Sequence, residues 1–294
     1  MNAVEKKVRW EEMFPDELRE AIRGCPVCLA AYGLAEPHGP YNAIGLDFLK
    51  ARALLERAAR AHGGVVAPPF AWHIQERPEF DWPRQHGVEQ SYCSSIPAAL
   101  FYKMVLYQVR AMDARGFHAG ILVTGHYGGL ENDMRLLCEF YRRKTGSPIR
   151  LRALADCELI RYEDYRGDHA GVCETSQMMF LHPDLVDLLR DAATSPMGPF
   201  GGTTFPTKNG RTPSAELGEK IVTSQIDRLA EIERELLRDY EPRKDWAAPS
   251  FPAVEGLWAR FEDITRKYWW CSRTWDEWQA GESLEFPGWD VFGE

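Results

Sequence analysis

Two runs without an acidic or strongly basic residue, Val27 to Gly33 and His118 to Thr124, constrain this chain most. Each is too short for a buried helix. Neither alternates polar with apolar residues, so each reads as a strand covered on both faces. Helical stretches lie between and after them. Apolar residues at Leu46, Leu49, Ala53, Leu54 and Ala58 predict a helix over Leu46 to His62, ended by Gly63-Gly64. Further helices are predicted over Trp10 to Arg23, Pro97 to Arg115, Leu130 to Lys144 and Glu216 to Tyr240. Short strands are predicted over Val65 to Ala67 and Ile149 to Ala155. Alternating strands and helices imply an α/β fold, three layers deep, with a mainly parallel sheet. Sites in such sheets lie beyond the carboxyl ends of the strands. The loops Leu34–Asp47 and Gly125–Gly129 both follow predicted strands, so they should meet at one sheet edge.

A chain of 294 residues allows one large domain or two small ones. Its net charge of −9 argues against a nucleic-acid surface. No stretch nears the ~18 apolar residues of a membrane span, and the charged N-terminus lacks the apolar core of a signal peptide. Seven scattered cysteines suit a reducing cytoplasm better than a disulfide framework. Cys25 and Cys28, although spaced CxxC, open an apolar strand and read as small packed residues. From Glu241 onward the composition shifts, with seven of the ten tryptophans. Residues 1–240 are therefore read as the body, and 241–294 as a Trp-rich extension packed on the body or on a neighbouring subunit. Docking of an irregular tail by its aromatic residues accounts for the tryptophans more simply than a carbohydrate platform does.

Three constellations carry chemistry. The first is Glu36-Pro37-His38-Gly39 with Asp47, a mixture of carboxylate and imidazole that divalent metals favour. The second is Thr124-Gly125-His126-Tyr127-Gly128-Gly129, where glycines let the backbone approach a metal or ligand closely. A phosphate-binding turn is the competing reading, but neither the P-loop pattern nor G-x-G-x-x-G is met. The third is Asp168-His169-Ala170-Gly171-Val172-Cys173-Glu174-Thr175-Ser176. It could supply a proton-transfer group and a ligand, or merely cap a helix. The long loop Ala71 to Ser95 is a candidate site wall.

In this order, from about Val8 to Leu189, the three segments resemble the creatininase family. The resemblance implies a creatininase-like fold and two divalent ions (Zn, Mn or Fe). One would sit on Glu36, Asp47 and His126, the other on His38, Asp47 and Glu174, sharing a hydroxide as nucleophile. His169 falls at the family's general acid/base position. Tyr127, Gly128, Trp72 and Ser94 are the candidate substrate-binding residues. The chain departs from the family at Pro37, Thr124, Gly128, Leu130 and Cys93-Ser94-Ser95. These changes spare the ligand set and alter the substrate wall, implying a substrate other than creatinine. The implied reaction is C–N hydrolysis of a small cyclic amide or formamide. Ring opening of an inosose or lactone-like substrate, or trimming of a peptide-derived cofactor precursor, are the family's alternatives. A homo-oligomer, commonly a hexamer, is also implied. A metal-binding scaffold without activity is the competing class.

Overall fold

A computed structural model describes residues 7–74, 93–161, 167–190, 205, 207, 209–270 and 286–292. Among the described residues the sheet has four strands: β1 (Val27–Tyr32), β2 (Val65–Val66), β3 (Ala119–Thr124) and β4 (Arg150–Ala155). They run in the order β2-β1-β3-β4, and every pairing is parallel. Seven α-helices are described: α1 (Pro15–Gly24), α2 (Leu46–His62), α3 (Ala98–Arg115), α4 (Leu130–Thr145), α5 (Val172–Leu181), α6 (Ala215–Arg238) and α7 (Phe251–Thr265). No described helix is long and apolar enough to cross a membrane.

Every residue of β1 and β3 is buried, because helices cover both faces. Alternation along the strand decides the partner layer. Cys28, Ala30, Tyr32 and Leu122 pack with Phe101, Tyr102 and Val105 of α3, Met134 and Leu137 of α4, and Phe261 of α7. Val27, Leu29, Ala31, Ile121 and Val123 pack with Leu54, Leu55 and Ala58 of α2 and with Val222 and Leu229 of α6.

The predicted elements stand with small shifts at their ends. The helix expected over Trp10 to Arg23 is divided, with a 3-10 turn at Trp10–Glu12 and α1 beginning at Pro15. Proline's fixed φ and missing N–H suit a first helical position, and Pro15 occupies it. The expected irregular C-terminal tail contains a regular helix, α7, capped by Ser250 and packed against α3 and α4. Its hydrophobic face, Val254, Trp258 and Phe261, is spaced i, i+4, i+7. Most of the loop Ala71 to Ser95 lies outside the described residues.

Two features place the future site. First, the strand ends are level: Tyr32 pairs with Thr124, and Thr124 with Ala155. Second, Gly33 and Gly125, just beyond β1 and β3, press on the start of α2. A Cβ on either would collide with the backbone of Asp47 or Phe48. The C-terminal segment reaches the same edge. The Trp270 ring rests on Gly129, and its backbone N–H donates to Asp133 at 2.8 Å. Tyr102 donates its hydroxyl to the same carboxylate at 2.6 Å.

Gly125→Ala is expected to destabilise the fold by about 2 kcal/mol or more, because backbone rather than a flexible side chain must move. Asp133→Ala strands two donors at once and is expected to cost about 3 kcal/mol, at 1–3 kcal/mol for each unsatisfied group. Urea unfolding monitors both; an unchanged midpoint for the second would show that apolar packing alone holds the C-terminal segment.

Candidate metal centre

Five groups converge beyond the level ends of β1 and β3. Glu36 and His38 come from the loop after β1, Asp47 from the first turn of α2, His126 from the turn after β3, and Glu174 from the first turn of α5. All five are buried. His126 Nδ1 lies 3.0 Å from Glu36 Oε1 and 3.2 Å from Asp47 Oδ2. His38 Nε2 lies 3.0 Å from Asp47 Oδ1 and 3.7 Å from Glu174 Oε2. Asp47 thus turns one oxygen to each of two groups. Each triad keeps its ligand atoms within 4.8 Å of one another. Ligands about 2.1 Å from a tetrahedral ion would stand about 3.4 Å apart, so the spacing suits a divalent cation.

The donor chemistry fits such an ion as well. His38 Nδ1 lies 2.9 Å from the Glu36 carbonyl, a pure acceptor, which requires the ring proton on Nδ1. In the neutral ring the lone pair then falls on Nε2, the atom that faces the carboxylates. His38 Nε2 and Asp47 Oδ2 are buried without a hydrogen-bond partner. Groups like these are costly to bury unless something binds them.

The electrostatics show what stands in for that charge. Burial disfavours the charged His38 ring, yet Asp47, Glu174 and Glu36 outweigh it and raise its pKa to about 9. His126 is raised well above its ordinary value, again against burial, chiefly by the charge of Glu36. Burial works against the carboxylates of Glu36 and Asp47 too. The adjacent histidines prevail, and both acids are held below their ordinary values. The carboxylates thus favour positive charge on both imidazoles.

His169 sits at the rim, 44% exposed, its ring tilted 32° against that of His38 with centroids 4.5 Å apart. Its Nδ1 lies 3.9 Å from Glu36 Oε1. The turn that presents it is unusual: Ala170 adopts a positive φ of 50°, a left-handed conformation that costs about 1 kcal/mol for a side chain with a Cβ. That conformation points the Ala170 N–H at Glu174 Oε2, 2.8 Å away. Asp168 accepts from the N–H groups of Cys173 and Glu174 at 2.8 and 3.1 Å, so it caps α5. The segment therefore caps α5 and at the same time turns Glu174 toward the cluster.

The residues proposed for substrate contact are dispersed in role. Gly128 is exposed in the turn. The Tyr127 hydroxyl lies 2.9 Å from Glu174 Oε1 and bonds to Asp168. Trp72 is 52% exposed, on the segment before the undescribed loop. The Ser94 hydroxyl donates to the Ala71 carbonyl and accepts the Ala35 N–H, both at 3.0 Å. It staples two loop segments and has little capacity left for a ligand.

Sequence reasoning missed three groups. Lys50 is fully buried, with Nζ 2.5 Å from Glu174 Oε1 and 3.3 Å from Asp156 Oδ2. Asp156 directly follows β4, so a third strand end contributes an acid. Burial raises its pKa to about 7 despite Lys50. Lys50 was legible in principle, as a cation three residues after Asp47 on an otherwise apolar helix face. The third group is His73. It is buried, and burial holds its pKa well below the ordinary value. It accepts the Ile74 N–H at Nδ1 (2.9 Å), which leaves Nε2–H facing Thr124 Oγ1 at 3.2 Å. Thr124 in turn donates to the His126 carbonyl at 2.5 Å, which fixes the backbone of His126.

Comparison with known proteins gives the family and the fold. The family model of creatininase, described as creatinine amidohydrolase, matches residues 11–232. A creatinine amidohydrolase of Pseudomonas putida is 26% identical over 267 residues, covering 78% of this chain and 95% of that protein. Among solved structures, creatininase with Mn superposes with a TM-score of 0.60 at 23% identity, over 81% of this chain and all of that one. A creatininase complexed with creatine gives a TM-score of 0.61 at 24% identity, over 79% and 99%. A putative creatinine amidohydrolase from Bacteroides fragilis gives 0.58 at 20%, over 82% and 100%. The structural likenesses carry the fold; the family model, spanning most of the chain, carries the relationship. The chain belongs to the creatininase family and is a metal-dependent amidohydrolase.

Proposed function

We propose that the chain hydrolyses a C–N bond of a small cyclic amide or formamide at a binuclear centre. Glu36, Asp47 and His126 hold one divalent ion, and His38, Asp47 and Glu174 hold the other. The observation that carries this reading is Asp47, whose Oδ2 faces His126 while its Oδ1 faces His38. When bound, two such ions lower the pKa of water to supply a nucleophile and polarise the substrate carbonyl. Carboxylates with imidazoles suit Zn, Mn and Fe, and relatives described as creatininase with Mn and as a Zn–Zn type support the first two.

The chain's own residues supply the rest. His169, half exposed at the rim, is placed to carry a proton to the leaving nitrogen. Exposed Gly128 and Trp72 border the approach. Residues 1–240 form the catalytic body and 241–294 a supporting extension, a division supported by a family match that ends at residue 232.

Metal analysis of the purified protein is expected to give two divalent ions per chain. A panel of cyclic amides and formamides, followed by mass, then identifies the substrate: ring hydrolysis adds water, and deformylation releases formate. His169→Ala is expected to retain both ions and to lose about 10²–10⁴ in kcat. Loss of an ion would instead make His169 a ligand, and an unchanged rate would remove it from proton transfer.

Loading must displace protons from His38, whose pKa stands raised to about 9 in the metal-free protein. Apparent metal affinity is therefore expected to rise with pH from 7 to about 9. Calorimetric titrations in buffers of different ionisation enthalpy should report proton release. An observed heat independent of the buffer would contradict this linkage.

A further inference from the structure

We infer that Lys50 is a positioning residue that aims Glu174 at the second ion and limits it to one ligating oxygen. The inference rests on the binuclear reading above and goes beyond it. Lys50 is 1% exposed and lies on α2, one turn from Asp47. A buried ammonium is a costly choice for a core, where an apolar side chain of similar volume is often as stabilising or more so. Its surroundings show what it does instead. The ammonium lies 2.5 Å from Glu174 Oε1, 3.3 Å from Asp156 Oδ2 and 4.7 Å from the Tyr127 ring centroid.

Glu174 is held from both sides. The Tyr127 hydroxyl also lies 2.9 Å from Oε1, but its single proton is contested by the Asp168 carbonyl, so Lys50 is the donor that occupies this oxygen. Oε2 receives the Ala170 N–H at 2.8 Å and is the oxygen nearest His38 Nε2, at 3.7 Å. With Oε1 occupied, Oε2 is the oxygen available to an ion. Asp156 holds the ammonium from the far side, so Lys50 cannot turn away without leaving that acid unpaired. The chain runs Asp156–Lys50–Glu174 from the end of β4 to the centre.

Two effects of Lys50 on metal affinity oppose each other. Its charge repels a cation, which would weaken binding. Its hydrogen bond orients the ligand, which strengthens binding. The orienting effect should win for the second ion. The ammonium contacts the oxygen turned away from the ion, and groups that orient metal ligands typically contribute 10–100-fold in affinity.

The test is titration of metal-free protein with Zn²⁺ against a chromophoric chelator, which resolves two stepwise affinities. Lys50→Met is expected to leave the tighter binding step nearly unchanged and to weaken the step that depends on Glu174 about 10–100-fold. Glu174→Gln identifies which step that is. General loosening of the fold would weaken both steps, so the split separates positioning from structure. If Lys50→Met fails to fold because Asp156 is left unpaired, Lys50→Met/Asp156→Asn removes both charges, and the same selective weakening is expected. Equal affinities in wild type and variant, or a tighter second step, would overturn the inference while leaving the binuclear reading in place. A wild-type protein that takes up fewer than two ions would overturn both.

Discussion

Asp47 is the constraint on which the rest of the structure depends. Its carboxylate is buried, it faces a histidine through each oxygen, and it stands at the start of a helix pressed between two strand ends. Three further carboxylates, Glu36, Glu174 and Asp156, are buried around it. So many acids in a low-dielectric pocket repel one another and would favour neutral forms. Protons on His38 and His126 and the ammonium of Lys50 offset that repulsion in the metal-free protein. Two divalent ions would do so more completely, which is why the geometry and the raised histidine pKa values point to the same chemistry.

Reaching this arrangement depends on backbone more than on side chains. A parallel sheet with level ends starts the loops after β1, β3 and β4 from one line. Glycines at positions 33 and 125 remove the Cβ atoms that would push α2 outward. The left-handed turn at Ala170 then turns an N–H toward Glu174. Each device is local, and each would be idle without the others.

The family relationship covers the sheet, its helices and the ligand-bearing segments, and ends before α7. The C-terminal segment is more than an ornament on that body. Trp269 packs edge-on against Tyr102, Trp246 donates to Asp113 at 3.0 Å, and Trp270 lies on Gly129, three residues from His126. Among the described residues, Trp258, Trp269 and Trp270 pack α7 and the end of this segment on the body, and Trp246 is held by its hydrogen bond.

Much of this was legible in the amino-acid order. Apolar runs without charges demanded a covered parallel sheet, the 3.6-residue period marked α2 with both ends correct, and the motifs around Glu36, His126 and Glu174 marked residues that the fold brings together. These signals are local, and their physical causes act over a few residues. Tertiary structure decided the rest. The position of Lys50 hints at burial, but its partners Asp156 and Glu174 appear only when α2 is seen against β4 and α5. Asp156 and His73 belong to no motif, and their importance comes from partners 106 and 51 residues away. That the Ser94 hydroxyl joins two loop segments likewise appears only in the fold. Burial and pairing across the chain set the cost of a charge, and that cost can be read only once the fold has brought the partners together.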